Sequence, residues 1–162
     1  MGGNDDVRRD SLVPSLGIYG TTIPGMQDAH KLAVYGEARE LAVDVYRLTR
    51  AFPSDERFGL TQQLRRAAVS VGSNIAEGCG RKGSRALGPF LHYAIGSTKE
   101  LEFQTELAVS LGYCDGAEGD IVLERVTRTR RMLIRLEAAV RRRLEAPTLS
   151  PPTPPAPPGQ PR

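Results

Sequence analysis

The chain has 162 residues, 40% of them hydrophobic, with a formal net charge of +3. That length suits one compact domain with one core. No apolar run approaches the roughly 18 residues that span a bilayer, and the start "MGGNDDVRRD" lacks the apolar stretch of a secretory signal, so the expected location is the cytoplasm and no membrane partner is expected.

Residues 1–26 carry five Gly and two Pro without sustained periodicity and read as a loose N-terminal arm. The bundle domain is expected over residues 27–146. Its first helix is marked by Val34, Ala38, Leu41, Val45, Leu48 and Phe52, spaced alternately four and three apart, and it ends at "AFPSDE". Pro53 disfavours helical geometry at Phe52, and Ser54 with Asp55 and Glu56 predicts a capped second helix from Ser54 to Glu77. Its apolar face is Leu60, Leu64, Ala67, Ala68, Val71 and Ile75.

Helix three is predicted from Ser84, with Phe90, Ala94, Ser97, Leu101, Gln104, Ala108 and Leu111 as its seam and Gly112 as its stop. Gly88 and Pro89 predict a start delayed by a turn. Helix four is predicted from Asp120 to Glu145, with Val122, Val126, Thr129, Leu133, Leu136, Val140 and Leu144 on its seam. Short connections between four helices give an all-α fold, an antiparallel up-down-up-down four-helix bundle. From Pro147 to Arg162 eight of sixteen residues are Pro, which predicts an extended tail.

The segment "EGCGRKGSR" holds Gly78, Gly80 and Gly83 in a literal GxGxxG. A dinucleotide site needs those glycines to turn a strand into a helix, and here a helix precedes them, so they read as a helix-terminating turn with solvated Arg81 and Lys82. The two cysteines, Cys79 and Cys114, form no CxxC pair and have no His at metal-ligand spacing, so no metal and no cofactor is expected. They fall near opposite ends of helix three, on the order of 36 Å apart, and cannot pair within one chain.

Viewed down helix two, Gln63, Arg66, Ser70, Ser73, Asn74 and Glu77 form one arc beside the apolar face. Ser, Asn and Gln suit close packing with satisfied hydrogen bonds, so these residues, with Ser97 and Glu100 of helix three, are candidates for a polar packing or interface seam. Residues 121–145 of helix four hold eight Arg against three Glu, a balance of 8 − 3 = +5. Arg125, Arg128, Arg131, Arg135, Arg142 and Arg143 fall within an arc of roughly 120° off the seam. Guanidinium groups grip phosphates, so this stripe is the candidate nucleic-acid surface, for RNA or DNA backbone. The competing reading is a solvated face paired with acids such as Glu124, Glu100, Glu102 and Glu106. No aromatic interleaves the stripe, which argues against base stacking.

The run from Lys31 to Tyr113 resembles the proteins encoded in intervening sequences of large-subunit (23S) ribosomal RNA genes. The resemblance rests on "FP..E..GL..QLRRAA.S...NIAEG" at residues 52–78 and "GS..ELE" at 96–102. It implies a bundle that assembles as a homopentameric ring, without an established enzymatic activity. Gly72 departs from the family pattern, standing where Pro is common. A likeness of architecture alone implies a second role, as an adaptor or accessory subunit for a reverse transcriptase or other partner protein. For catalysis the residues offer little: His30 and His92 have no nucleophile at a fixed helical spacing, and the Glu-x-x-His repeat of di-iron bundles is absent. The expected protein is therefore a non-enzymatic one.

Overall fold

The computed structural model describes residues 28–81 and 84–145. The expected arm and tail, together with Lys82 and Gly83, lie outside the described residues. A 3₁₀ turn at Ala29–Lys31 leads into α1 (Ala33–Leu48), a second 3₁₀ turn spans Ser54–Phe58, and α2 (Leu60–Gly80), α3 (Ser84–Ser110) and α4 (Gly116–Glu145) follow. The fold is all-α, with four helices and no strand among the described residues.

The helix boundaries differ from expectation where a side chain competes with the backbone. α1 stops at Leu48, with Thr49 as its cap: the Thr49 amide and hydroxyl both donate to the Val45 carbonyl, at 3.0 and 2.8 Å, and the next amide, Arg50, turns to the Arg47 carbonyl at 3.2 Å. Phe52 leaves the helix yet stays buried, its ring 5.7 Å from that of Tyr113. Ser54 opens only the 3₁₀ turn. The cap of α2 is Glu56 instead, whose carboxylate accepts from the Leu60 amide at 2.7 Å and from the Tyr113 hydroxyl at 3.0 Å.

α2 then runs past Glu77 to Gly80. Gly78 is needed for its missing side chain: a Cβ there would sit 2.7 Å from Leu87 Cδ1 and 2.9 Å from Phe90 Cβ. Nor do Gly88 and Pro89 delay α3, which contains Pro89. Pro89 is exposed, and the one hydrogen bond it forgoes belongs to the carbonyl of exposed Arg85, which water can reach.

α3 ends as expected. Gly112 takes a φ of 71°, and the Tyr113 and Gly112 amides bond back to the Ala108 and Val109 carbonyls. α4 begins at Gly116 rather than Asp120, held by a reciprocal cap: the Glu118 amide donates to Asp115 Oδ1 at 2.7 Å, and the Asp115 amide donates to Glu118 Oε2 at 3.2 Å.

Side-chain contacts set the directions. Gly78 meets Leu87 and Ser70 meets Ser97, so α3 runs antiparallel to α2. Gly119 faces Val109 while Arg130 bonds Glu102, so α4 runs antiparallel to α3. Glu37 reaches Arg128 and Asp44 reaches Arg125, so α4 is antiparallel to α1 as well. Each helix packs on two others; α1 and α3 make no close approach, nor do α2 and α4.

One apolar core joins all four helices, with Leu41, Val45, Leu64, Val71, Ile75, Leu91, Leu101, Val126 and Leu133 fully enclosed. Burial of each stabilises the fold by about 1.5–3 kcal/mol. The expected faces of α1 and α2 are the buried ones, except that Leu60 is half-buried. That of α3 is rotated: Leu87, Leu91, Thr98 and Thr105 are buried, Phe90 and Gln104 are half-buried, and Leu111 is exposed. Thr98 and Thr105 pack inside because their hydroxyls donate to the Ile95 and Leu101 carbonyls, each at 2.7 Å. In α4 the seam residues Val122, Val126, Thr129, Leu133 and Val140 are buried, Leu136 is half-buried and Leu144 is exposed. No helix among the described residues is long and apolar enough to cross a membrane.

Candidate nucleic-acid interface

α4 carries its buried row of Gly119, Val122, Val126, Thr129, Leu133 and Val140 toward the core. At about 100° per residue, Arg128, Arg131, Arg135 and Arg142 project within about 60° of one another on the opposite side. All four are exposed. Arg131, Arg135, Arg142 and Arg143 have no carboxylate partner among the described residues, so their guanidinium donors face water. Arg142 and Arg143 also stand in the last turn of α4, where positive charge complements the helix dipole.

Arg125 belongs elsewhere. Its Nε bonds Asp44 and its Nη1 lies 3.2 Å from Glu37, two largely enclosed carboxylates on α1. Burial pulls the Arg125 guanidinium toward easier deprotonation, but the hydrogen bond and charge of Asp44, with Glu37 adding to them, hold it above its ordinary value. It is a tie between α1 and α4. Arg128 stands at the boundary, with one nitrogen 3.2 Å from Glu37 and most of its side chain in solvent.

A further arginine escaped the sequence reading. Arg130, on the α3 side of α4, grips Glu102 with two parallel hydrogen bonds of 2.6 and 2.8 Å. The Arg130 hydrogen bond is the main cause holding the Glu102 carboxyl below its usual range. Glu102 had been named as a general partner for the stripe; the signal that could have singled out Arg130 is its offset from the stripe toward α3.

The polar seam divides into two. Ser97 donates its hydroxyl to Ser70 at 2.9 Å, and the Asn74 amide donates to the Ser70 carbonyl at 2.8 Å, a chain of contacts that ties α2 to α3. Gln63, Arg66, Ser73 and Glu100 are exposed, and Glu77 pairs with Arg81 on the surface at 2.6 Å. Arg81 also lies over the Phe90 ring at 5.1 Å, so it is engaged within the α2–α3 corner.

His92 is exposed, 3.8 Å from Glu137, and no cluster of three His, Cys, Asp or Glu side chains suited to a metal occurs among the described residues. Cys79 is buried and Cys114 half-buried, both as free thiols; burial pushes each thiol up from its ordinary value, nearby Asp28 adding at Cys79 and Glu118 at Cys114.

The four helices and their contacts define a class of all-α protein with solved members. A crystal structure of a protein of unknown function from the S23 ribosomal protein family of Bacteroides thetaiotaomicron is similar, with a TM-score of 0.59 at 21% identity, covering 65% of this chain and 98% of that one. Residues 30–135 match the family described as 23S rRNA-intervening sequence protein, and the chain belongs to that family. No curated protein matches it.

Proposed function

We propose that this chain is a non-enzymatic, cytoplasmic, antiparallel four-helix bundle that self-associates, as a homopentameric ring, and binds the phosphate backbone of RNA or DNA through α4. The observation that carries the reading is the row Arg131, Arg135 and Arg142 on the side of α4 opposite the core, exposed and without carboxylate partners among the described residues. A surface row of arginines makes phosphate contacts that carry no sequence information, and the absence of an exposed aromatic between them fits backbone rather than base recognition. Arg128 contributes at the edge of the row, and Arg125 supports it by holding α4 to α1.

The test is fluorescence anisotropy of a short structured RNA titrated with protein from about 50 to 200 mM salt. Binding should weaken steeply with salt, and replacing Arg131 and Arg135 by Gln should weaken it further and lower the magnitude of the salt slope by about two. Binding that ignores both salt and these substitutions would make the row an ordinary solvated surface. The adaptor reading, with the exposed residues Gln63, Arg66 and Ser73 of α2 as its partner surface, would then stand in its place.

A further inference from the structure

α3 carries a basic row of its own. Arg85, His92 and Lys99 stand seven residues apart, which puts them on one stripe of the helix, and all three are exposed. His92 shows which way the stripe looks: its Nδ1 lies 3.8 Å from Glu137, so the stripe borders α4. Arg85 and Lys99 have no ion-pair partner among the described residues.

The contact between His92 and Glu137 also sets the level of the two helices. Because α3 and α4 are antiparallel, Lys99 comes level with Arg130 and Arg131, and Arg85 with the end of α4, beside Arg141 and Arg142. The Glu102 carboxyl agrees with that placement: held low chiefly by its hydrogen bond from Arg130, it is held low also by the charge of Lys99. Seven residues beyond Lys99 the stripe changes sign. Glu106 is exposed, and level with it on α4 stands exposed Glu124, on the face that later carries Arg131 and Arg142.

Both helices are therefore positive over the half of their length nearer the α2–α3 corner and negative beyond it. In α4 the helix dipole accounts for the order, since acids suit the start of a helix and bases its end. In α3 it does not. Arg85 stands in the first turn, where no acid is present, and the last turn holds no base, so the charges of α3 run against its dipole and with those of α4.

We infer that Arg85 and Lys99 of α3 join the arginine row of α4 in one phosphate-binding surface, and that this surface takes a nucleic-acid double helix. The inference rests on the nucleic-acid binding proposed above and adds the second helix and the form of the ligand. Axes of packed helices lie about 8–10 Å apart, within the roughly 6–12 Å widths of duplex grooves, so each basic row meets the phosphates of one strand. A single strand offers one line of phosphates and is otherwise held by stacking bases on aromatic rings. Between these rows lie Ile95, Ile134 and Ala138, and no aromatic among the described residues. Arg85 to Lys99 spans about 21 Å at 1.5 Å per residue, the rise of about six base pairs. Glu106 and Glu124 repel phosphate beyond that length.

The experiment titrates a short RNA duplex, and one of its strands alone, with full-length protein by fluorescence anisotropy from about 50 to 200 mM salt. One variant carries Arg85→Gln with Lys99→Gln. A control removes the same charge at the far end, by Arg50→Gln with Arg57→Gln. All four side chains are exposed, so both variants keep the wild-type helical melt by circular dichroism. Wild type should bind the duplex more tightly than the strand. The α3 variant should lower the magnitude of the duplex salt slope by about two, and the control should leave it unchanged. A wild type that binds neither probe would remove the proposed function and this inference together. Duplex binding that the α3 variant leaves intact, or that the control weakens as much, would overturn the part given to α3 alone. A strand bound as tightly as the duplex would overturn the double helix as ligand.

Discussion

At the scale of single residues, α4 sorts its arginines by direction. Arg125 and Arg130 point sideways and are spent on Glu37, Asp44 and Glu102, while Arg131, Arg135 and Arg142 point away from the core and keep their donors. The sequence showed the charge and the arc but not this division, because the partners lie on other helices whose rotation was not readable. The Arg130–Glu102 pair has a pH signature. Glu102 titrates lower in the fold than in the unfolded chain, so the stability it adds is present above the ordinary carboxylate range and is lost as pH falls through that range. Arg130→Met should cost about 1 kcal/mol at pH 7 and progressively less as pH falls below the ordinary carboxylate range, measured by urea unfolding as a function of pH. Thr129 offers the opposite case. It is fully buried and its hydroxyl has no hydrogen-bond partner among the described residues, so Thr129→Val should stabilise the fold by about 1 kcal/mol, visible as a raised Tm.

At the scale of elements, periodicity located every helix, and its errors have particular causes. Apolar counting put Phe90 and Leu111 on the buried face of α3 and overlooked Thr98 and Thr105, since a threonine that bonds its own helix carbonyl buries as readily as a valine. The start of α4 was legible in principle, as Asp115 and Glu118 have capping-box spacing, but the signal sits behind two glycines that read as loop. The start of α2 was not legible, because Glu56 caps it from inside a 3₁₀ turn.

Two glycines of α2 make the distinction measurable. Nothing lies within 4 Å of a Cβ built at Gly72, so Gly72→Ala should raise stability by about 0.5–1 kcal/mol through helix propensity alone. Gly78→Ala gains the same propensity but must push α3 away at Leu87 and Phe90, and it should lower stability by about 1 kcal/mol net. Chemical unfolding of the two variants side by side would show opposite shifts; equal shifts would mean that α2 and α3 are not in close contact at that corner.

At the scale of the whole molecule, α3 leaves Tyr93, Phe103 and Leu107 exposed on the side away from its buried row, and α4 leaves Arg131, Arg135 and Arg142 exposed on its own. The two surfaces lie on different helices, so substitutions can address one without touching the other. The family was legible from the motif runs at residues 52–78 and 96–102. Those runs supply the Glu56 cap, the Ser70–Asn74–Ser97 tie and the close approach at Gly78, so what they encode is the packing of α2 on α3.

The antiparallel directions have one more consequence. The start of α1, the corner between α2 and α3, and the end of α4 all lie at one end of the molecule, where Asp28 comes near Cys79, while Cys114 lies at the other beside the Glu56–Tyr113 contact. The length of α3 separates the two by on the order of 40 Å. A bead or affinity tag joined through either flanking segment therefore grips the molecule by the same pole, and a dye on Cys114 reports from the far one. Tethering by one pole and labelling the other gives an oriented layer in which approach of a nucleic acid along the sides can be read without blocking them.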